Sequence, residues 1–162
     1  MATVKTAPIE TSAGDSAVDG LSGGLLAGLL MAVFLIIVAW VGGEGPAQFL
    51  ARFDLQATPT PLLGGLIHLA LSGVYGLAYG LAFWLLLRRG LAGKSTWMGA
   101  LAGAVYGLFL WLAADLVLLP ASNSALQAVP GWAFALAHIF YGAVLGGWVL
   151  RNAVRRQASE SI

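Results

Sequence analysis

The sequence predicts an all-α membrane protein of four transmembrane helices, built as two tandem helical hairpins. Three observations predict it. Charged residues make up only 9 % of the 162 residues and apolar ones 59 %, whereas a soluble domain carries roughly 25 % charged residues to cover its surface. Four apolar stretches are each long enough, at about 20 residues, to cross a bilayer as a helix. Short elements also recur in order: Gly24-Leu-Leu-Ala-Gly28 as Gly99-Ala-Leu-Ala-Gly103, Leu55-Gln-Ala-Thr-Pro59 as Leu126-Gln-Ala-Val-Pro130, and Leu66-Ile-His68 as Leu136-Ala-His138. The offset falls only from 75, Gly24 to Gly99, to 70, His68 to His138, which reads as an internal repeat of one hairpin.

Residues 1–20 are small and polar, with Glu10, Asp15 and Asp19 and no basic start before a short apolar core. They read as a flexible cytoplasmic tail, not a cleaved signal peptide. The transmembrane domain then covers residues 21–150, with spans at about 21–43, 62–87, 96–119 and 132–150. Residues 151–162 form a basic cytoplasmic tail.

Each outer connection opens with Pro-Ala, at Pro46 and Pro120, and closes with the repeated Leu-Gln-Ala-x-Pro element. In the first, Phe49, Leu50 and Phe53 can form the apolar side of a short interfacial helix, read as a connector lying on the surface or as a docking lid.

Orientation follows from the basic residues, which are retained on the cytoplasmic side. Lys5, Arg88, Arg89, Lys94, Arg151, Arg155 and Arg156 fall on one side of the four-span arrangement and Arg52 alone on the other. Both termini are therefore expected in the cytoplasm. Trp40, Trp84, Trp97, Trp132 and Trp148 sit at or near span ends, where amphipathic rings meet the interface, while Trp111 lies well inside.

A net charge of +1 offers no clustered basic surface for nucleic acid. The absence of cysteine removes disulfides, thiolate metal sites and cysteine nucleophiles. Glycines at four-residue spacing, Gly24 and Gly28, Gly76 and Gly80, Gly99, Gly103 and Gly107, Gly142 and Gly146, allow close backbone approach in lipid. They serve packing within the chain, with a homodimer surface as the other use.

His68 and His138 each lie about two turns from the outer end of their span, and Asp115 lies near the outer end of span three, so the three are expected at one level of the outer leaflet. His68, Ser72, Tyr75 and Tyr79 share a face of span two, and Tyr141 flanks the direction of His138. Three readings follow: a structural hydrogen-bond network, a proton or small-solute route with His68, Asp115 and His138 as relays, or a b-type haem held by His68 and His138. Two histidines and one carboxylate are a minimal metal set, and no metal is predicted. Ser72 follows His68 by four residues, but no oxyanion donor or orienting group accompanies the pair, so no enzyme is predicted.

Trp97-x-Gly99-x-Leu101-Ala102-Gly103-Ala104, His68 with Ser72 and Tyr79, and a last span carrying His138 before an arginine-rich end resemble the YagU-like bacterial inner-membrane proteins over residues 62–156. That resemblance implies a multi-pass protein of the bacterial inner membrane, without an established biochemical activity.

Overall fold

The structure, a computed structural model, describes residues 11–90, 95–122 and 124–160. Lys5 and Lys94, two of the basic residues that set the expected orientation, lie outside the described residues, as do residues 1–10 of the expected tail and the last two of the chain. All described elements are helical: α1 (Ala13–Val41), α2 (Pro46–Ala51), α3 (Pro61–Arg88), α4 (Thr96–Ala113), a π-turn (Ala114–Leu118), α5 (Leu119–Ser122), a 3-10 turn (Ala125–Ala128) and α6 (Gly131–Glu160).

Four helical stretches, Ala13–Val41, Pro61–Arg88, Thr96–Ser122 and Gly131–Arg156, are long and apolar enough to cross a membrane. With 26 to 29 residues each, they extend about 40 Å at 1.5 Å per residue. A hydrocarbon core measures about 30 Å, so their ends reach the interface or the helices tilt. Their outer faces are apolar: Leu62 is 76 % exposed, Val105 62 %, Leu116 67 % and Leu136 51 %. Such continuous apolar surface is a liability in water and the normal solvent contact in lipid.

The start of α1 differs from expectation. Residues 13–20 are helical, and Ser16 and Asp19 are buried. A capping box explains the early start: the Asp15 amide donates to Ser12 Oγ at 3.0 Å and the Ser12 amide to the Asp15 carboxylate at 3.3 Å, satisfying donors that a first helical turn otherwise leaves open. α3 starts on Thr60, whose hydroxyl accepts from the Leu63 amide, with Pro61 at the first helical position. Gly43 and Gly90, both at positive φ, follow the ends of α1 and α3.

Glycine sets the helix pairing. A Cβ on Gly24 would stand 2.8 Å from Gly76 Cα, and one on Gly80 would stand 3.0 Å from Gly20 Cα, so α1 and α3 run antiparallel with their backbones in contact. α4 and α6 are likewise in backbone contact. A Cβ on Gly103 would stand 2.9 Å from Gly146 Cα, and one on Gly107 would stand 2.8 Å from the His138 carbonyl carbon. α6 packs on both α4 and α1 and is the most buried element, with Ala137, Leu145, Val149 and Leu150 in the core. Among the described residues, all nine glycines singled out from the sequence make their close contacts inside the chain.

The short helix α2 is not a surface connector. Phe49 is 1 % exposed, Phe53 is buried, and the Leu50 carbonyl lies where a Cβ on Gly64 would stand. Its aromatic side plugs the end of the bundle opposite the chain termini. A further finding concerns α4, whose last turn widens into the π-turn just before Pro120. A proline there has no N–H to offer the carbonyl four residues back, and its ring crowds that carbonyl.

Candidate functional site

His68 on α3 is held by α1. Its Nε2 lies 2.9 Å from the Gly28 carbonyl oxygen. A carbonyl only accepts, so this bond requires the proton on Nε2 and leaves Nδ1 as the acceptor nitrogen. Glycine is needed at 28 for this approach, because a Cβ there would fall on the Ser72 side chain. Ser72 Oγ in turn donates to the His68 carbonyl at 2.8 Å, back-bonding its own helix. The two side chains therefore do not form a nucleophile–base pair.

His138 on α6 points its Nδ1 at the Phe134 carbonyl, 2.8 Å away and one turn back. Its Nε2 has no hydrogen-bond partner among the described residues. An aromatic ring flanks each imidazole, Phe53 at 4.7 Å from His68 and Phe134 at 4.5 Å from His138, centroid to centroid.

Between the histidines lies a cavity of about 130 Å³, also lined by Ser72, Tyr75 and Tyr141 and otherwise almost wholly apolar. The structure thus brings His68, Ser72, Tyr75, His138 and Tyr141 around one space. Asp115 does not join them. It lies on the π-turn beside a neighbouring cavity with Pro120 and Gln127, across a wall of Leu119, Leu126 and Phe134 that both cavities share. Among the described residues no three His, Asp or Glu side chains converge as a cation-binding group. The physical reason is helix geometry: at 100° per residue Asp115 lies about 80° around from Gly107, off the glycine face by which α4 packs on α6.

Haem does not fit between the two imidazoles. The cavity is well under the roughly 300 Å³ at which pockets for drug-sized molecules begin, and His68 Nε2 is engaged by Gly28.

The tyrosines lace the two helix pairs together. Tyr141 of α6 donates to the Ser72 carbonyl of α3 at 2.6 Å, Tyr106 of α4 to the Tyr75 carbonyl at 2.9 Å, and Tyr79 of α3 to the Gly99 carbonyl of α4 at 3.5 Å. Tyr79 and Tyr106 also touch ring to ring, 5.1 Å between centroids. Each of these three hydroxyls ends on a main-chain carbonyl, which accepts but does not hand a proton on. Tyr106 was not apparent as a site residue in the sequence, although its place next to Gly107 sets it beside the close-packed face of α4.

Polar ties close both ends. Arg52 Nε bonds Glu44 at 2.7 Å and its Nη1 reaches the Ala125 carbonyl at 3.3 Å, joining the α1–α3 connection to the α5–α6 connection. The buried Asp54 accepts from the Gln56 and Thr60 amides at 3.1 and 2.9 Å. At the opposite end Asp19 of α1 pairs with Arg156 of α6 and accepts from Asn152 Nδ2 at 3.1 Å. Trp84 Nε1 donates to the Thr11 carbonyl at 3.0 Å, which brings the end of α3 to the start of α1.

The sequence profile of a family described as a family of unknown function (DUF6789) matches residues 14–160. No curated protein and no solved structure matches the chain.

Proposed function

Since the chain belongs to the DUF6789 family, a family of unknown function, we propose from its geometry that it is a multi-pass protein of the bacterial inner membrane whose outer-leaflet cavity receives a small neutral solute. The observation that carries this reading is the cavity itself, with two imidazoles in an otherwise apolar wall and His138 Nε2 without a partner. An apolar cavity of about 150 Å³ holds a benzene-sized guest, so a volume of about 130 Å³ suits a single small ring. His138 Nε2 and His68 Nδ1, the acceptor nitrogens, suit a solute with one hydrogen-bond donor.

The lacing tyrosines argue against proton conduction through the bundle and for a local site in a fixed frame. We read the protein as a non-enzyme, which the back-bonded Ser72 supports. Arg88, Arg89, Arg151, Arg155 and Arg156 favour cytoplasmic termini, and the YagU-like resemblance favours the same membrane.

We also read the two glycine seams as copies of one unit, with a register one helical turn away from the sequence match. Gly24 meets Ser72 and Gly76, while Gly103 meets Gly142 and Gly146, the residues four and eight beyond each histidine. Gly103 therefore takes the place of Gly24, and Gly107 that of Gly28. The test of the solute reading uses phenol as the probe, titrated into protein in lipid nanodiscs while the histidine-ring ¹⁵N resonances are followed. Saturable movement of the His138 signal is expected; a flat titration overturns the reading.

A further inference from the structure

The cavity between the histidines is not sealed within the protein. At the end nearer the loops the buried Phe53 and Leu119 wall it off. On its side, between α3 and α4, it is lined by Leu71, Ala114 and Leu118, and Leu71 and Leu118 are 47 % and 51 % exposed. That side is the cavity's mouth. Leu71 stands about 15 Å along α3 from Pro61, at 1.5 Å per residue, so the mouth opens at the level of the hydrocarbon and not of the headgroups.

The pairing of the helices leaves this mouth open. α1 packs on α3, α4 on α6 and α1 on α6, but no such seam joins α3 to α4. Tyrosine side chains bridge those two instead, Tyr106 donating to the Tyr75 carbonyl and Tyr79 to the Gly99 carbonyl. Both bridges lie nearer the termini than Leu71 and Ala114 do, so neither crosses the mouth.

Size and chemistry then decide the occupant. A volume of about 130 Å³ is filled by one ring, so any longer substituent on that ring has to leave through the mouth. Lipid chains reach the mouth as well, but a chain tip inside would bring no donor to His138 Nε2, and a buried polar atom without a partner is costly. A hydroxyl on the ring removes that cost.

We propose that the solute is the head of a membrane amphiphile: a hydroxyl-bearing ring seated between the histidines, with an unbranched apolar tail that passes out between Leu71 and Leu118 into the bilayer. This inference rests on the solute reading above, and the experiment separates the two.

Phenol and 4-pentylphenol are titrated into the protein in lipid nanodiscs, with the histidine-ring ¹⁵N resonances followed and each dissociation constant expressed as mole fraction of ligand in the lipid. The two constants are expected to agree within about twofold, because a tail moved from lipid chains to leucine side chains gains little. Ala114→Phe and, independently, Leu71→Trp narrow the mouth; Leu136→Phe fills a different lipid-facing groove, between α1 and α6, as the control. Each mouth variant is expected to weaken 4-pentylphenol relative to phenol by at least about tenfold, roughly 1.4 kcal/mol and within what overpacking costs, while the control leaves the ratio unchanged. Saturable phenol without saturable 4-pentylphenol in the wild type, or a ratio unchanged in both mouth variants, overturns the amphiphile and leaves the cavity reading standing. No saturable phenol response in the wild type overturns the cavity reading, and the amphiphile with it.

Discussion

Substituting alanine for Gly103 tests what holds the bundle together. In lipid, helix association is driven by packing and hydrogen bonding and not by hydrophobicity, so close backbone contact is where stability resides. The new methyl carbon would sit 2.8 Å from the Gly142 carbonyl carbon and 2.9 Å from Gly146 Cα, against a normal carbon–carbon contact of about 3.5–4.0 Å. These neighbours are backbone and do not rotate aside, so α4 and α6 must part locally by on the order of 1 Å. A gap of that size forfeits a quarter to a half of each dispersion contact along the seam. Overpacking costs about 1–3 kcal/mol, while alanine for glycine in a helix returns about 1 kcal/mol.

Gly147→Ala isolates the second term, because a Cβ there would meet only Ala100 Cβ at 3.9 Å, an ordinary contact. Both variants share the propensity gain, so they should differ by the overpacking term, about 1–3 kcal/mol, with Gly103→Ala the less stable and Gly147→Ala neutral or better. Reversible unfolding in mixed micelles, followed by the fluorescence of the six tryptophans, measures the difference. Equal unfolding midpoints would show that the glycine seam carries no packing energy.

Tyr141→Phe should cost about 0.6–1.7 kcal/mol, the range of interhelical hydrogen bonds in membranes, and Tyr141→Phe with Tyr106→Phe should cost close to the sum, since the two hydroxyls bond different carbonyls; the same unfolding assay reports both. Arg156→Gln removes the guanidinium facing Asp19, whose side chain is 9 % exposed while that of Arg156 is 32 % exposed. Solvent at the arginine screens the pair, so a loss of about 1–2 kcal/mol is expected, and a double-mutant cycle with Asp19→Asn should show coupling. A reporter fused after Ile162 should register as cytoplasmic; a periplasmic signal would invert the orientation and move the histidine cavity to the inner leaflet.

The spans were legible because an apolar run of this length has few uses outside a bilayer, and the four-residue glycine spacing announced close contact. The early start of α1 was written in Ser12 and Asp15, whose spacing is that of a capping box, but the acidic residues around them resemble a solvated tail. Which side of span three Asp115 faces was not legible, because a position about 80° around from Gly107 lies at the edge between the packed face and the lipid face. The Asp19–Arg156 pair joins residues 137 apart, and no local pattern encodes such a distance. His68 and His138 were visible as a repeated residue; that each spends one nitrogen on a carbonyl depends on helix pairing, which side-chain periodicity alone does not give.

The central place of α6 bears on how the protein is made. Translation delivers this helix after α1, α3 and α4, yet it supplies the partner for the glycine face of α4, the cation for Asp19 and the second wall of the histidine cavity. Without it, α1 and α3 would still pair through their own glycine seam, but α4 would lack its partner and Asp19 the guanidinium of Arg156. Closure of the bundle therefore waits for α6, and a chain cut before Gly131 lacks the surface on which α4 packs.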